Sequence, residues 1–153
     1  MAEKSSLAVF YFAVLGLLTT AFGIAYLLVT IGMVDEFSYS ILEIPGDMFG
    51  GGWGGIVLLS AGLFYLMGLR NFNEIHQFGK IVMASILIWL LAGCDIFAMI
   101  TESIPGGDEG WFNTLSGFIE TYYPPYTPAV LLLPFSLIVI YCIYNRNTKE
   151  EKE

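Results

Sequence analysis

Four long apolar runs, separated by short polar segments, constrain what this chain can fold into. They cover residues 7–33, 53–69, 81–100 and 128–144. A helix needs about 20 apolar residues to cross the roughly 30 Å hydrocarbon core of a bilayer, so each run is near the length of one crossing. Of the 153 residues, 56% are hydrophobic and only 13% are charged. The sequence therefore predicts an all-α integral membrane protein, a single bundle of four transmembrane helices.

The first apolar run must be distinguished from a signal peptide that is cleaved off. Its apolar stretch is far longer than the usual core of about 7 to 15 residues, and no small-residue cleavage site follows it. We therefore expect this run to be retained as the first transmembrane helix.

All six Lys and Arg residues fall on one side of the predicted membrane. They lie in the N-terminal tail, in the loop between the second and third helices, and in the charged tail at residues 145–153. Because cytoplasmic loops are enriched in Lys and Arg, both termini are predicted to be cytoplasmic in a multi-pass protein of the cell membrane. The two outer loops are acidic, with carboxylates at Asp35, Glu36, Glu43, Asp47, Glu102, Asp108, Glu109 and Glu120.

The second outer loop has apolar residues at helical spacing. Trp111, Phe112, Leu115, Phe118 and Ile119 follow the pattern i, i+1, i+4, i+7 and i+8, which is typical of an amphipathic helix. We therefore predict a short helix lying at the outer membrane interface.

The two outer loops also resemble each other. Residues 44–47 read Ile-Pro-Gly-Asp and precede Trp53, whereas residues 104–108 read Ile-Pro-Gly-Gly-Asp and precede Trp111. The pattern indicates either an internal duplication of a helical hairpin or the independent use of Pro-Gly turns and interfacial Trp. The sequence leaves both interpretations open.

Helix packing can be partly read from the positions of small residues and proline. Gly16, Thr20 and Gly23 recur at nearly heptad spacing in the first helix. Small residues let transmembrane helices approach closely, so these three predict a packing seam for a neighbouring helix. Pro134 lacks an amide hydrogen and predicts a kink in the fourth helix.

Asp95 is the one charged residue within the four apolar runs. Burying its charge costs about 2.5 to 3.5 kcal/mol, so such residues usually face a bundle interior or water and mark functional sites. Ser60 and Thr30 are predicted at similar depths and are its candidate hydroxyl partners. No Lys or Arg lies within any run, so we expect Asp95 to be protonated, hydrated, or paired with an external ion or another subunit.

Residues suited to other chemistry are sparse. Cys94 and Cys142 are predicted about 15 to 20 Å apart in depth, too far for a disulfide. The single histidine, His76, excludes a bis-histidine haem within one chain, and no Cys/His metal spacing is present. The glycine-rich residues 46–55 match neither the P-loop pattern G-x-x-x-x-G-K-[ST] nor the dinucleotide-binding pattern G-x-G-x-x-G. With only six Lys and Arg, a nucleic-acid partner is excluded, and we expect no cofactor and no metal.

Two functional hypotheses remain. The first is a noncatalytic subunit or scaffold of a membrane complex, because the chain is small, lacks a nucleophile and base pair, and has a helix-packing seam. The alternative is a small, oligomeric proton- or cation-coupled transporter or channel that uses Asp95. Both hypotheses expect the lipid bilayer as surroundings and contacts through the transmembrane helices, either with other proteins or with further copies of the chain.

Overall fold

The protein is mostly helical in the computed structural model. Four helices are long and apolar enough to cross a membrane, and they coincide with the four apolar runs. The prediction of four helices of this kind is therefore confirmed. These spans are Ser6–Thr30, Gly51–Asn71, Ile75–Thr101 and Pro128–Arg146. The structure describes residues 2–44, 46, 48–72, 74–102, 119 and 123–150.

Five α-helices make up the four spans. The fourth span contains two of them because its helix is interrupted at Leu137. A π-helical turn at Met48–Trp53 precedes the second helix, and a 3-10 turn at Leu69–Asn71 follows it. The helices are α1 (Ala2–Thr30), α2 (Gly54–Gly68), α3 (Ile75–Glu102), α4 (Pro128–Ser136) and α5 (Ile138–Glu150).

The helices pack in chain order, with α1 against α2, α2 against α3, and α3 against α4. α4 also touches α1, which brings the first and last spans together. Between them lies a core of closely packed apolar side chains, and because lipid is as apolar as these side chains, close packing and hydrogen bonds between helices hold the bundle together. Its largest fully buried apolar members are Phe12, Leu58, Tyr65, Ile81, Ile88 and Val139.

A small β-hairpin between α1 and α2 was not predicted. Its strands, β1 (Phe37–Tyr39) and β2 (Leu42–Ile44), pair in antiparallel register across a two-residue turn. Ser40 at the turn has a φ of 52°, the positive value that tight hairpin turns require. The hairpin therefore gives the first loop a fixed backbone at one end of the bundle.

The segment that enters α4 is hydrogen-bonded to this hairpin. The Tyr126 N–H donates to the Ile41 carbonyl at 2.8 Å, and the Glu43 N–H donates to the Tyr126 carbonyl at 3.0 Å. These two bonds place the loop after α1 and the start of α4 at the same end of the bundle.

The predicted interfacial helix lies outside the described residues except for Ile119. That residue is helical and its side chain is 59% exposed. The repeated loop pattern at residues 104–108 likewise lies outside the described residues.

Candidate functional site

The predicted seam on α1 lies against α2. A Cβ atom added at Gly23 would lie 2.5 Å from the backbone nitrogen of Leu59, and one added at Gly16 would lie 2.9 Å from the Cβ of Tyr65. Real Cβ atoms essentially never approach other heavy atoms this closely. Glycine is therefore required at both positions for the two helices to pack as they do.

α2 supplies the other half of the seam, which was not predicted. A Cβ added at Gly62 would lie 2.6 Å from the backbone nitrogen of Thr20, and one at Gly55 would lie 2.8 Å from the Cβ of Tyr26. Gly55 and Gly62 are seven residues apart, as are Gly16 and Gly23 on α1. Matching spacing on the two helices lets glycines from both sides interdigitate along the contact.

Polar side chains inside the bundle connect neighbouring helices. The hydroxyls of Tyr65 on α2 and Ser85 on α3 lie 2.7 Å apart, and both residues are fully buried. Ser85 also donates its hydroxyl hydrogen to the Ile81 carbonyl at 3.1 Å. Because serine has one such hydrogen, Tyr65 is the donor of the bond between the two hydroxyls.

The interruption at Leu137 is surrounded by side-chain hydrogen bonds. Pro134 has no N–H for the helix ladder, and the helix breaks three residues later. Tyr11 on α1 donates its hydroxyl to the Phe135 carbonyl at 2.8 Å. Trp89 Nε1 on α3 donates to the Ser136 hydroxyl at 2.7 Å. Both α1 and α3 are therefore hydrogen-bonded to α4 next to the break. The Tyr11 bond gives the Phe135 carbonyl a partner next to the break, whereas the missing N–H of Pro134 affects the carbonyl of Val130, four residues earlier.

Asp95 on α3 is half-buried and is bonded to the residue that precedes α4. The Thr127 hydroxyl donates to Asp95 Oδ2 at 2.5 Å. Thr127 has an extended backbone, and its side chain does not cap α4. This hydrogen bond therefore joins α3 to the beginning of α4 through the side chain of the N-cap residue.

Asp95 lies beside the first turn of α4. The N-terminus of a helix carries a partial positive charge from its unsatisfied N–H groups, which favours a nearby carboxylate. Pro128 occupies the first turn of α4 and pre-organises the helix start. Among the described contacts, the Asp95 carboxyl is thus bonded to a hydroxyl beside a helix end and not to a side-chain cation.

The two hydroxyls predicted as partners of Asp95 bond to their own helices instead. Thr30 donates to the Tyr26 carbonyl at 2.9 Å, and Ser60 donates to the Ile56 carbonyl at 2.8 Å. Thr127 was missed because it lies just outside the fourth apolar run. The signal that could have found it is the Thr-Pro pair at the start of that run, which is typical of an N-cap followed by the first helical residue.

The remaining candidate groups are dispersed. Cys94 is exposed on α3, Cys142 is half-buried on α5, and both are free thiols. His76 is exposed near the start of α3. Within the described ranges, no group of three or more His, Cys, Asp or Glu side chains is arranged to hold a metal ion.

Comparison with protein families, characterised proteins and solved structures found no match to this chain. A functional conclusion therefore rests on the contacts described above. The most informative of these are the four hydrogen bonds between helices, which involve Tyr11, Tyr65, Trp89 and Thr127 as donors.

Proposed function

We propose that this chain is a noncatalytic subunit or scaffold of a membrane complex. It spans the cell membrane four times as a helix bundle, with both termini in the cytoplasm and a short interfacial helix in the second outer loop. The observation that carries the proposal is that polar side chains inside the bundle are hydrogen-bonded to one another between helices. Tyr65, Trp89 and Thr127 each donate to a side chain on a neighbouring helix, which favours one fixed arrangement of the bundle.

The exposed surface of the helices supports a membrane location. Large apolar side chains point outward on several helices, including Phe10 on α1 at 71% exposed and Phe97 on α3 at 67%. An apolar surface of this extent is unfavourable in water and is covered by lipid or by another protein. A scaffold has both kinds of contact.

Two contacts at opposite ends of the bundle support the orientation. Arg146 Nη1 on α5 donates to the Phe72 carbonyl between α2 and α3 at 3.4 Å, at the end where Lys and Arg are concentrated. The hairpin bonded to Tyr126 lies in a loop without Lys or Arg. The positive end faces the cytoplasm under this proposal.

One observation favours the alternative, a small oligomeric proton- or cation-coupled transporter or channel. Asp95 is half-buried in an apolar helix, and its hydrogen-bond partner in the structure is the neutral hydroxyl of Thr127. A carboxylate in this setting can exchange a proton or meet a cation. The scaffold proposal instead assigns the same bond to joining α3 and α4.

The decisive experiment is native mass spectrometry of the protein extracted in a gentle detergent. The scaffold proposal expects complexes with other proteins or with further copies of the chain, and it fails if the protein is recovered only as a monomer. The alternative is tested by pH-dependent flux in proteoliposomes. Flux that Asp95→Asn abolishes, and that Thr127→Ser preserves, would replace the scaffold proposal with the transporter.

Orientation is tested separately with a reporter fused to the C-terminus and a cysteine introduced at Gly106. Cys94→Ser and Cys142→Ser provide a background without native thiols. We expect an internal reporter and an introduced cysteine that reacts with an impermeant reagent from outside. A C-terminus accessible from outside would contradict the proposed topology.

A further inference from the structure

A cleft of about 340 Å³ lies between the first half of α3 and the middle of α5. This volume is near the lower end of the range of about 300 to 1,000 Å³ that ligand sites occupy. The walls are apolar along most of their length. They include Phe78, Gly79, Val82 and Ile86 of α3, and Ile143 and Arg146 of α5.

The cleft is polarised along its length. From Ile75 to Ile86 it follows α3 over a rise of eleven residues, or about 16 Å at 1.5 Å per residue, which is close to the thickness of one leaflet of a core of about 30 Å. Arg146 supplies a cationic group at the end where α3 begins, and apolar side chains line the rest. A charged end with an apolar body matches the form of a phospholipid.

The guanidinium of Arg146 is held in place at the charged end. Its Cζ lies 5.0 Å from the centre of the Phe78 ring, and its Nη1 donates to the Phe72 carbonyl. A guanidinium has five N–H donors in a planar fork, and phosphate oxygens are favoured acceptors for that geometry. Arg146 is thus placed to bind an anion at the membrane surface while its neighbours contact an acyl chain.

Gly79 forms an open part of the cleft wall. A Cβ atom added there would meet no heavy atom within 4 Å. No contact inside the described protein therefore requires glycine at this position, in contrast to Gly23, where added Cβ atoms clash with α2. The absent side chain leaves space in the cleft next to Phe78 and Met83, which are also in its wall.

We infer that this cleft binds an anionic phospholipid, with the phosphate at Arg146 and one acyl chain between α3 and α5. The inference rests on the proposed membrane placement and orientation, which put Arg146 at the cytoplasmic leaflet. Anionic lipids are attracted to basic residues between helices on that side of the membrane. The lipid would occupy the apolar surface that the two helices leave uncovered.

The test is native mass spectrometry with added phosphatidylglycerol or phosphatidylcholine of identical acyl chains. We expect the wild-type protein to retain one phosphatidylglycerol, and to retain phosphatidylcholine about fivefold less. Arg146→Gln should lower phosphatidylglycerol retention about fivefold, which corresponds to the roughly 1 kcal/mol that one basic residue contributes at a membrane surface. Arg70→Gln is the matched control, because Arg70 is exposed near the same end and does not line the cleft.

A second pair of variants tests the apolar part of the cleft. Gly79→Leu should fill the space and lower the retention of both lipids at least about fivefold. Gly93→Leu is the control, because Gly93 is on the same helix, is equally open around its Cβ position, and lies outside the cleft. Thermal unfolding in detergent should show that neither variant is less stable than wild type, since leucine favours helix more than glycine.

Several results would overturn the inference. Equal retention of the two lipids by the wild type, or equal retention by Gly79→Leu and Gly93→Leu, would exclude a specific lipid site. A change in the number of protein copies on Gly79→Leu, without a change in bound lipid, would make the cleft a protein interface. The same spectra report protein partners separately from lipid. A monomer that retains phosphatidylglycerol would contradict the scaffold proposal alone, whereas a complex without lipid would contradict this inference alone.

Discussion

Tyr65 on α2 donates a hydrogen bond to Ser85 on α3, and neither residue is exposed to solvent. The Ser85 hydroxyl has a second partner in the Ile81 carbonyl, whereas the Tyr65 hydroxyl depends on Ser85. The Tyr65 ring also packs on Phe12 of α1, with 5.8 Å between ring centres and an angle of 19° between planes. Tyr65 of α2 thus contacts both α1 and α3.

This difference between the two hydroxyls predicts unequal effects of removing them. Tyr65→Phe should cost about 0.6 kcal/mol of unfolding free energy, typical of a hydrogen bond between membrane helices. Ser85→Ala should cost about 1 to 3 kcal/mol, because the buried Tyr65 hydroxyl is left without its acceptor. Reversible unfolding in mixed detergent micelles measures both. A larger loss for Tyr65→Phe than for Ser85→Ala would contradict the assigned direction of the bond.

The glycine contacts between α1 and α2 predict a steric effect. In Gly23→Ala the new methyl group meets the backbone of Leu59, so the helices must separate, with a loss of about 1 to 3 kcal/mol in unfolding free energy. Gly93→Ala, at an open position on α3, should instead be neutral or stabilising by up to about 1 kcal/mol. Unfolding of the two variants side by side is the measurement, and equal effects would refute the close approach.

The bond between Asp95 and Thr127 predicts which substitutions the bundle tolerates. Asp95→Asn keeps an oxygen acceptor for the Thr127 hydroxyl, so its unfolding free energy should stay within about 0.5 kcal/mol of wild type. Thr127→Val keeps the size of the side chain but removes the donor, and should cost about 0.6 to 1.7 kcal/mol. Thr127→Ser retains the hydroxyl and is the control. If Thr127→Val has the same unfolding free energy as wild type, the hydrogen bond does not help to hold α3 against α4.

The break at Leu137 predicts coupling between α1 and α4. Pro134→Ala removes the proline ring and restores a backbone N–H that can donate to the Val130 carbonyl, which favours a continuous helix; in such a helix the Phe135 carbonyl accepts from the Val139 N–H. The bond from Tyr11 then matters less, so Tyr11→Phe should cost about 0.6 kcal/mol in the wild type and less in the Pro134→Ala background. A double-mutant cycle of unfolding free energies measures this difference. Additive effects would show that the Tyr11 bond is independent of the break.

The four helices could be predicted from the sequence because each apolar run is long enough to identify a helix without knowledge of its neighbours. Their ends were less certain. α3 begins at Ile75 and not at residue 81, since polar residues such as Gln77 and Lys80 do not end a helix even though they end an apolar run. The hairpin was missed because its strands have only three residues each, too few for an alternating pattern to be recognised.

Contacts between helices were harder to predict, because they depend on which helices are neighbours and on how they are aligned. Gly16 and Gly23 could be identified because they interrupt a large-residue helix, whereas Gly55 was obscured by adjacent glycines. Thr127 is 32 residues from Asp95, and its proximity follows only from the packing of α4 on α3. Thr30 and Ser60 were predicted from depth alone, and depth alone does not select a partner.

The bridge from the hairpin to Tyr126 has a consequence for the order in which the protein is assembled. Ribosomes synthesise the hairpin more than 80 residues before the strand segment that completes it, as the positions of Ile41 and Tyr126 require. Until this segment is in place, the hairpin lacks the two backbone hydrogen bonds to Tyr126. Backbone pairing at that end of the protein is therefore completed only after residue 126 has been synthesised. A nascent chain released before residue 126 would leave these hairpin backbone groups unpaired, in an exposed loop that proteases can cleave.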